Sequence, residues 1–148
     1  MKILVPVDGS ELALDAVRYA LNLQRAGLQA NFVLATVQDP VYLYEMLLAP
    51  DAEVLQRVSG AVGSRARDGA QALFQEAGEP FEREIGSGDP AATLIDIAES
   101  HGCEAIIMGA RRLGALRSAL LGSVSQAVLL ASKVPVTIVK HVAADFAN

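Results

Sequence analysis

The chain has 148 residues, of which 52% are hydrophobic and 20% charged, a composition typical of a folded globular domain and not of a disordered chain. The formal net charge of −5 argues against a broad nucleic-acid-binding face, and no apolar run approaches the roughly 18 residues of a membrane span. We therefore expect one domain, residues 1–148, that partners neither nucleic acid nor membrane. The lone Cys103 cannot form an internal disulfide, which favours a reducing cytoplasm.

The first predicted elements are a strand, a helix and a second strand. Residues 3–7 form an apolar run typical of a strand buried on both faces, and Asp8 ends it. Ser10 is the predicted N-cap of a helix that Gly27 ends, since small and apolar residues recur between them at helical spacing. The segment Ala30–Gln38 predicts the second strand.

A long helix, a third strand and another helix are predicted in the middle of the chain. Residues 51–77 have a helical pattern, which Gly78 is expected to end. The segment Phe81–Asp89 alternates apolar and charged residues, which predicts a strand with one exposed face. Asp89 is then a predicted N-cap, with Pro90 in the first helical position.

Two further apolar strands are predicted at Glu104–Gly109, whose Met108 should lie in the core, and at Val134–Lys140. Between them Ser123 is predicted to cap a helix. The residues expected on the buried face of that helix are Val124, Ala127, Val128 and Ala131. Strands that alternate with helices indicate a doubly wound α/β fold, a parallel five-stranded sheet with helices on both faces.

The loop after the fourth strand has the chemistry of an anion site. In a doubly wound sheet, ligands bind beyond the carboxyl ends of the strands. Here a helix start with free N–H groups would face the end of the first strand, at Asp8. The loop contributes three arginines and three glycines, Arg111, Arg112, Arg117, Gly109, Gly114 and Gly122. A solvated basic loop that serves only as a connection is the alternative interpretation.

Several familiar sites do not fit the sequence. A P-loop requires Lys-Ser or Lys-Thr after its last glycine, whereas Gly122 is followed by Ser-Val. The dinucleotide fingerprint requires three close glycines after the first strand, and only Gly9 is present. The two histidines, His101 and His141, lie far apart in sequence, so neither a Ser-His-Asp triad nor a metal centre is expected.

Three blocks of the sequence resemble the universal stress protein family and occur in that family's order. They are "ILVPVDGSELALDAV", "GDPAATLIDIAESHGCEAIIMGARR" and "GALRSALLGSVSQAVLLASKVPVTIVK". The resemblance implies a five-stranded parallel sheet of strand order 3-2-1-4-5, like that of adenine nucleotide alpha-hydrolases. It also implies a cytoplasmic stress-response protein that forms a homodimer through the last strand, Val134–Lys140.

Members of this family that bind ATP resemble one another in a loop of the form Gly, two residues, Gly, nine residues, Gly, then Ser or Thr. On this chain the spacing runs from Gly109 to Gly122-Ser123, and Arg112 stands where the second glycine is expected. The resemblance implies adenosine near Asp8 and Val37 and phosphates near the loop, with Mg²⁺ on the phosphates. The implied nucleotide-binding residues are Pro6, Val7, Asp8, Ser10, Val37, Met108, Gly109, Arg111, Arg112, Gly114, Gly122, Ser123 and Val124.

Arg112 is the departure that bears on function. A non-glycine residue at a position of positive φ costs on the order of 1 kcal/mol, but Gly114 lies close enough to shift the turn, and an arginine can bind phosphate by two hydrogen bonds. The sequence therefore favours a small ATP-binding regulatory module without catalytic residues, capable at most of slow ATP hydrolysis. The alternative is a nucleotide-free dimeric protein of stress or signalling interactions.

Overall fold

A computed structural model describes residues 1–8, 11–38, 69–110 and 121–141 of the chain. The strands are β1 (Lys2–Pro6), β2 (Asn31–Gln38), β3 (Phe81–Ser87), β4 (Ala105–Gly109) and β5 (Val136–Val139). The helices are α1 (Glu11–Arg25), α2 (helical residues 69–76), α3 (Pro90–Ser100) and α4 (Ser123–Ala131). The predicted cap Ser10, the start of the long helix at 51–68, and the basic loop with Arg111, Arg112, Gly114 and Arg117 lie outside the described residues.

The five strands form one parallel sheet of order β3-β2-β1-β4-β5, which confirms the predicted fold and strand order. β1 is central and pairs with β2 from Lys2↔Asn31 to Pro6↔Ala35. The chain therefore builds outward from β1 to one edge, then crosses to β4 on its other side. That reversal places the topological switch point between β1 and β4.

Helices pack on both faces of the sheet, as its buried strands require. α1 and α2 cover one face, where Val17, Phe32 and Phe74 are fully or almost fully buried. The ring of Phe74 lies 5.3 Å from that of Phe32 and 5.4 Å from that of Phe81, in tilted arrangements that fix α2 over β2 and β3. α3 and α4 cover the other face, around Leu4, Val33, Ile106 and Val128.

Local signals end the helices where the sequence predicted. Gly27 follows α1 with φ +117°, and Gly78 follows α2 with φ +70°, a region that favours glycine. The carboxylate of Asp89 accepts a hydrogen bond from the backbone N–H of Ala92 at 3.0 Å, and Pro90 occupies the first turn of α3. These three predictions are confirmed.

Two predictions about α4 are wrong. Gly122, not Ser123, is the N-cap, and Ser123 is the first helical residue. The buried residues of α4 are Ser125 and Val128, whereas the predicted core positions Ala127 and Ala131 are exposed. The burial of Ser125 was not expected, and its hydroxyl has a hydrogen-bond partner on β4, whereas Val128 is buried as predicted.

The edge strands also differ from expectation. β3 was predicted to bury one face, yet Ile85 on its apolar face is 46% exposed, and only part of its other face is covered by α3. β5 extends over Val136–Val139, shorter than the predicted segment Val134–Lys140. Both are edge strands of the sheet.

A charged cluster ties the β3 edge to the rest of the sheet. Lys2 Nζ lies 2.8 Å from Glu82 Oε2, and the ring of His101 lies between Glu82 and Glu84, at 3.6 and 3.3 Å. The hydrogen bond from Lys2 holds the pKa of Glu82 below its usual value. These contacts join β1, β3 and the end of α3 at the surface.

Candidate functional site

The pairing of β1 with β4 stops before either strand ends. Their ladder contains two pairs, Ile3↔Ala105 and Leu4↔Ile106. Beyond these, β1 continues to Pro6 beside β2, and β4 continues to Gly109 beside β5. This position is the switch point at the carboxyl end of the sheet, where folds of this type bind ligands in a crevice. We call the region between the ends of β1 and β4 the crevice.

Pro6 gives a physical reason for the split. The N–H of Val7 donates to the carbonyl of Ala35 at 2.8 Å, so Val7 directs its backbone groups toward β2. Successive residues of a strand direct these groups to opposite sides, so Pro6 faces β4. The next rung would need an N–H from residue 6 to the carbonyl of Ile107, and proline has none. The β1–β4 pairing stops at this position.

The end of β1 supplies the predicted residues of one wall. Pro6 is half-buried, the Val7 side chain is 3% exposed within the core, and Asp8 is exposed at the mouth. On β2, Val37 is half-buried on the face covered by α3. The next residue, Gln38, accepts a hydrogen bond at its carbonyl from the N–H of Gly88 at 3.1 Å. Asp8 and Val37 thus lie at the carboxyl ends of neighbouring strands.

The opposite wall is formed by β4 and the start of α4. The N–H of Gly122 donates to the carbonyl of Ala110 at 2.8 Å, so the chain returns to the end of β4 as α4 begins. Gly122 and Ser123 are therefore brought to the same edge as Gly109. Val124 is half-buried against the core beneath them.

Within the described chain, the first turn of α4 has no side-chain cap, because its N-cap residue Gly122 has no side chain. The amide of Gln126 is the first to bond within the helix, to the Gly122 carbonyl at 2.9 Å. α3 differs, because the Asp89 carboxylate already occupies its N-terminus. Of these two helix starts at the carboxyl edge, α4 can accept an external anion.

Glycine at position 122 is not required by backbone conformation. Its φ is −63°, a value that any residue adopts, and the positive φ values of the described glycines occur elsewhere. The absence of a side chain matters instead for access, since any larger residue would place atoms over the free amides.

Ser125 was missed by the sequence reasoning. Its hydroxyl donates to the carbonyl of Gly109 at 2.8 Å, and the residue is 4% exposed. Ile106 and Ala110 bond through their N–H groups to β5, at Pro135 and Val139. By alternation, Gly109 directs its carbonyl away from β5, toward the crevice. A serine three positions beyond a helix cap could have indicated such a bond, but its partner depends on tertiary packing.

The side chain of Met108 lies in the core. Its side chain is 5% exposed and packs with Val128 and Ile106, which confirms its predicted place in the core. Its backbone groups face β5, because the alternation that turns Gly109 toward the crevice turns Met108 the other way. The predicted site residues Ser10, Arg111, Arg112 and Gly114 lie outside the described residues.

Two searches of the described residues bear on metals and membranes. In residues 1–8, 11–38, 69–110 and 121–141, no group of three or more His, Cys, Asp or Glu is placed to hold a metal ion. Over the same ranges, no helix has the length and apolar character needed to cross a membrane.

Comparison with known proteins gives consistent matches over nearly the whole chain. The model of the universal stress protein family matches residues 1–140. Universal stress protein YxiE of Bacillus subtilis is 30% identical over 149 aligned positions, which cover 94% of this chain and 98% of that protein. The structure of universal stress protein UspA from Lactobacillus plantarum is 26% identical, with a TM-score of 0.75 and coverage of 94% and 97% of the two chains. A universal stress protein in complex with cAMP is 28% identical, with a TM-score of 0.62 and coverage of 94% and 95%.

Proposed function

This chain belongs to the universal stress protein family, and we propose that it binds an adenine nucleotide, ATP in the first instance, in the crevice between β1 and β4. The observation that carries the proposal is the N-terminus of α4, which has no side-chain cap within the described chain and is held by the Gly122–Ala110 hydrogen bond near the point where the β1–β4 pairing ends. Free amides and the helix dipole together attract phosphate. The cAMP bound by a structural relative supports a nucleotide as the class of ligand.

The nucleotide lies across the crevice with its two ends on different elements. Adenosine is bound at the ends of β1 and β2, by Asp8 and Val37. The phosphates are bound by the backbone of Gly109 and the first turn of α4, where Ser123 adds a hydroxyl donor. Mg²⁺, when present, is held through the phosphates. The remaining members of the proposed site are Pro6, Val7, Ser10, Met108, Arg111, Arg112, Gly114, Gly122 and Val124.

The proposed role is regulatory. ATP binding stabilises the bound conformation by mass action and so biases the surface that the protein presents to a partner. We assign no catalytic residue, and any hydrolysis of ATP is expected to be slow and incidental. The cytoplasm is the compartment that fits the single buried Cys103.

A homodimer through β5 is the second part of the proposal. β5 is an edge strand of the sheet, and its outer backbone groups can pair with a second β5 in antiparallel fashion about a two-fold axis. α4 packs beside β5, and its Leu129 and Leu130 are 43% and 83% exposed. Burial of these two side chains in a dimer would remove an apolar surface from water.

Thermal unfolding with and without Mg-ATP tests the nucleotide proposal. At an ATP concentration 100 times Kd, binding stabilises the fold by about 2.7 kcal/mol, which raises Tm by roughly 5–10 °C in a domain of this size. Ser123→Ala and Asp8→Asn should each reduce the rise. Asp96→Asn is the matched control, because Asp96 is exposed on α3 away from the crevice.

The alternative function is a nucleotide-free dimeric interaction protein, which would use the exposed Leu129 and Leu130 in the same dimer. It predicts an unchanged Tm at millimolar ATP and purified protein free of adenine absorbance. Either a Tm shift that Asp8→Asn and Ser123→Ala leave intact, or no shift at all, would contradict nucleotide binding at the crevice.

A further inference from the structure

We infer that Ser125 is a positioning residue of the crevice: its hydroxyl fixes the start of α4 to the end of β4 and so aims the free amides of the helix at the phosphates. The inference rests on the proposed nucleotide site, but assigns a role to a residue that contacts no nucleotide itself. Three features of the described structure support it.

The first feature is the burial of a polar group with a defined partner. Ser125 is 4% exposed and is one of two buried polar residues in the described chain, the other being Thr36. A hydroxyl in such a place is retained only when it is hydrogen-bonded, and here it donates to the Gly109 carbonyl at 2.8 Å. An alanine would pack there equally well if apolar contact were all that the position required.

The second feature is the location of the carbonyl that it binds. Gly109 directs its carbonyl toward the crevice, where β1 and β4 are no longer paired. A strand would normally satisfy that oxygen, and the Ser125 hydroxyl takes the strand's place. Because a carbonyl oxygen is partially negative, binding it to a hydroxyl also removes an acceptor that would oppose an incoming phosphate.

The third feature is the pairing of two hydrogen bonds at one junction. Consecutive carbonyls at the end of β4 are both bound by α4: Gly109 by the Ser125 hydroxyl and Ala110 by the Gly122 amide. One bond leaves a helix free to rotate about it, whereas two fix its direction. The amides of Ser123 and Val124 lie between the two anchored residues, so their orientation is set before a ligand arrives, which lowers the ordering cost of binding.

The test compares full-length Ser125→Ala with two reference variants. Ser125→Thr keeps the hydroxyl and should keep the affinity. Ser132→Ala removes a similar bond at the other end of α4, where the Ser132 hydroxyl donates to the Val134 carbonyl at 2.9 Å, far from the crevice. Calorimetric titration with Mg-ATP measures Kd, and urea unfolding measures stability in each protein.

We expect Ser125→Ala to weaken ATP binding about tenfold, equivalent to about 1.4 kcal/mol, while Ser125→Thr and Ser132→Ala bind as the parent chain does. Both alanine variants should lose stability, so stability alone does not separate them, and affinity does. Equal affinity in Ser125→Ala and the parent chain, or an equal loss in Ser132→Ala, would overturn the inference.

Hydrogen exchange of the ligand-free protein separates this inference from the proposed function. In Ser125→Ala the Gly122 amide should exchange about tenfold faster, because its anchor to Ala110 is weakened; in Ser132→Ala it should not. Should the parent chain fail to bind ATP, the proposed function falls, and this exchange measurement still decides whether Ser125 fixes the helix start. An unchanged Gly122 exchange rate in Ser125→Ala would reject the positioning role in either case. Where Ser125→Ala fails to fold, Ser125→Cys, which has a weaker donor, takes its place in both measurements.

Discussion

Replacement of Gly86 by alanine should destabilise the β3 edge through one identifiable clash. A Cβ at position 86 would lie 2.5 Å from Cγ2 of Thr93 and 3.3 Å from Cδ1 of Ile97 on α3. Real Cβ atoms essentially never approach another atom as closely as the first distance, so α3 or β3 must move. The φ at Gly86 is not positive, so the cost comes from contact and not from backbone strain.

A second substitution, at Thr93, should relieve the clash. Overpacking of this kind typically costs about 1–3 kcal/mol, and we expect Gly86→Ala to lie near 2–3 kcal/mol because the new Cβ would meet both Thr93 and Ile97. Thr93→Ser removes Cγ2, the atom that a Cβ at position 86 would meet. It keeps Oγ1, an atom that would lie 2.9 Å from a Cβ at position 88 if Gly88 carried one. Thr93→Ser alone should cost about 1 kcal/mol. The double variant should recover at least 1.5 kcal/mol relative to the sum of the single changes.

Urea unfolding followed by circular dichroism measures the four proteins of this cycle. Gly69→Ala on α2 is the matched control, because a Cβ there would lie 3.5 Å from Leu14 in ordinary van der Waals contact. It should be neutral or slightly stabilising, since alanine favours helix. Additive free energies in the cycle would refute the reasoning, because they would mean that Gly86 and Thr93 do not meet.

Three further changes test other parts of the structure. Pro6→Ala restores an N–H facing the Ile107 carbonyl. We expect the residue 6 amide to become protected from hydrogen exchange, and the affinity for ATP to fall several-fold as β1 and β4 pair further. An unprotected amide would contradict the explanation that Pro6 ends the β1–β4 pairing. Asp89→Ala should lower the free energy of unfolding by about 1 kcal/mol and Asp89→Asn by much less, because asparagine still caps; equal losses would show that the cap hydrogen bond is not responsible. Glu82→Gln should remove the stabilisation that accompanies the lowered pKa of Glu82. That contribution is present above the ordinary pKa and is lost as the pH falls through the lower folded-state pKa. The difference in unfolding free energy between the two proteins should therefore shrink from neutral to acidic pH, and a difference that does not change with pH would exclude the ion pair with Lys2.

Much of the fold could be predicted because local chemistry carries it. Asp89 with Pro90 marks a helix start in any context, since a side-chain oxygen and a fixed φ act within one turn. Gly27 and Gly78 end helices because their φ values suit glycine alone. Strands alternating with helices allow few topologies, and the resemblance to a family of known strand order selected the correct one.

The errors lie where packing decides between local alternatives. Ser123 is as good a cap as Gly122 by residue preference, yet the Gly122 amide is held by Ala110, and this shifts the helix start by one residue. On α4 the predicted core position Val128 is buried, but Ala127 and Ala131 are exposed and Ser125 is buried, with its hydroxyl bonded to the Gly109 carbonyl. The burial of β3 was overestimated because the alternation of its residues does not show how much of its apolar face other elements cover.

For the candidate site, the amino-acid order by itself determined which groups are available: a carboxylate after the first strand, a glycine and serine at the start of the last helix, and a proline that cannot complete a rung. Only the tertiary structure decided that β1 and β4 are neighbours, which brings these groups to the same edge of the sheet. Pro6 interrupts the pairing because β4, a distant segment, is its neighbour, and Ser125 matters because its hydroxyl reaches a carbonyl sixteen residues earlier. Residue types fix local conformation and chemistry over a few positions, whereas the meeting of distant segments depends on how the whole core packs.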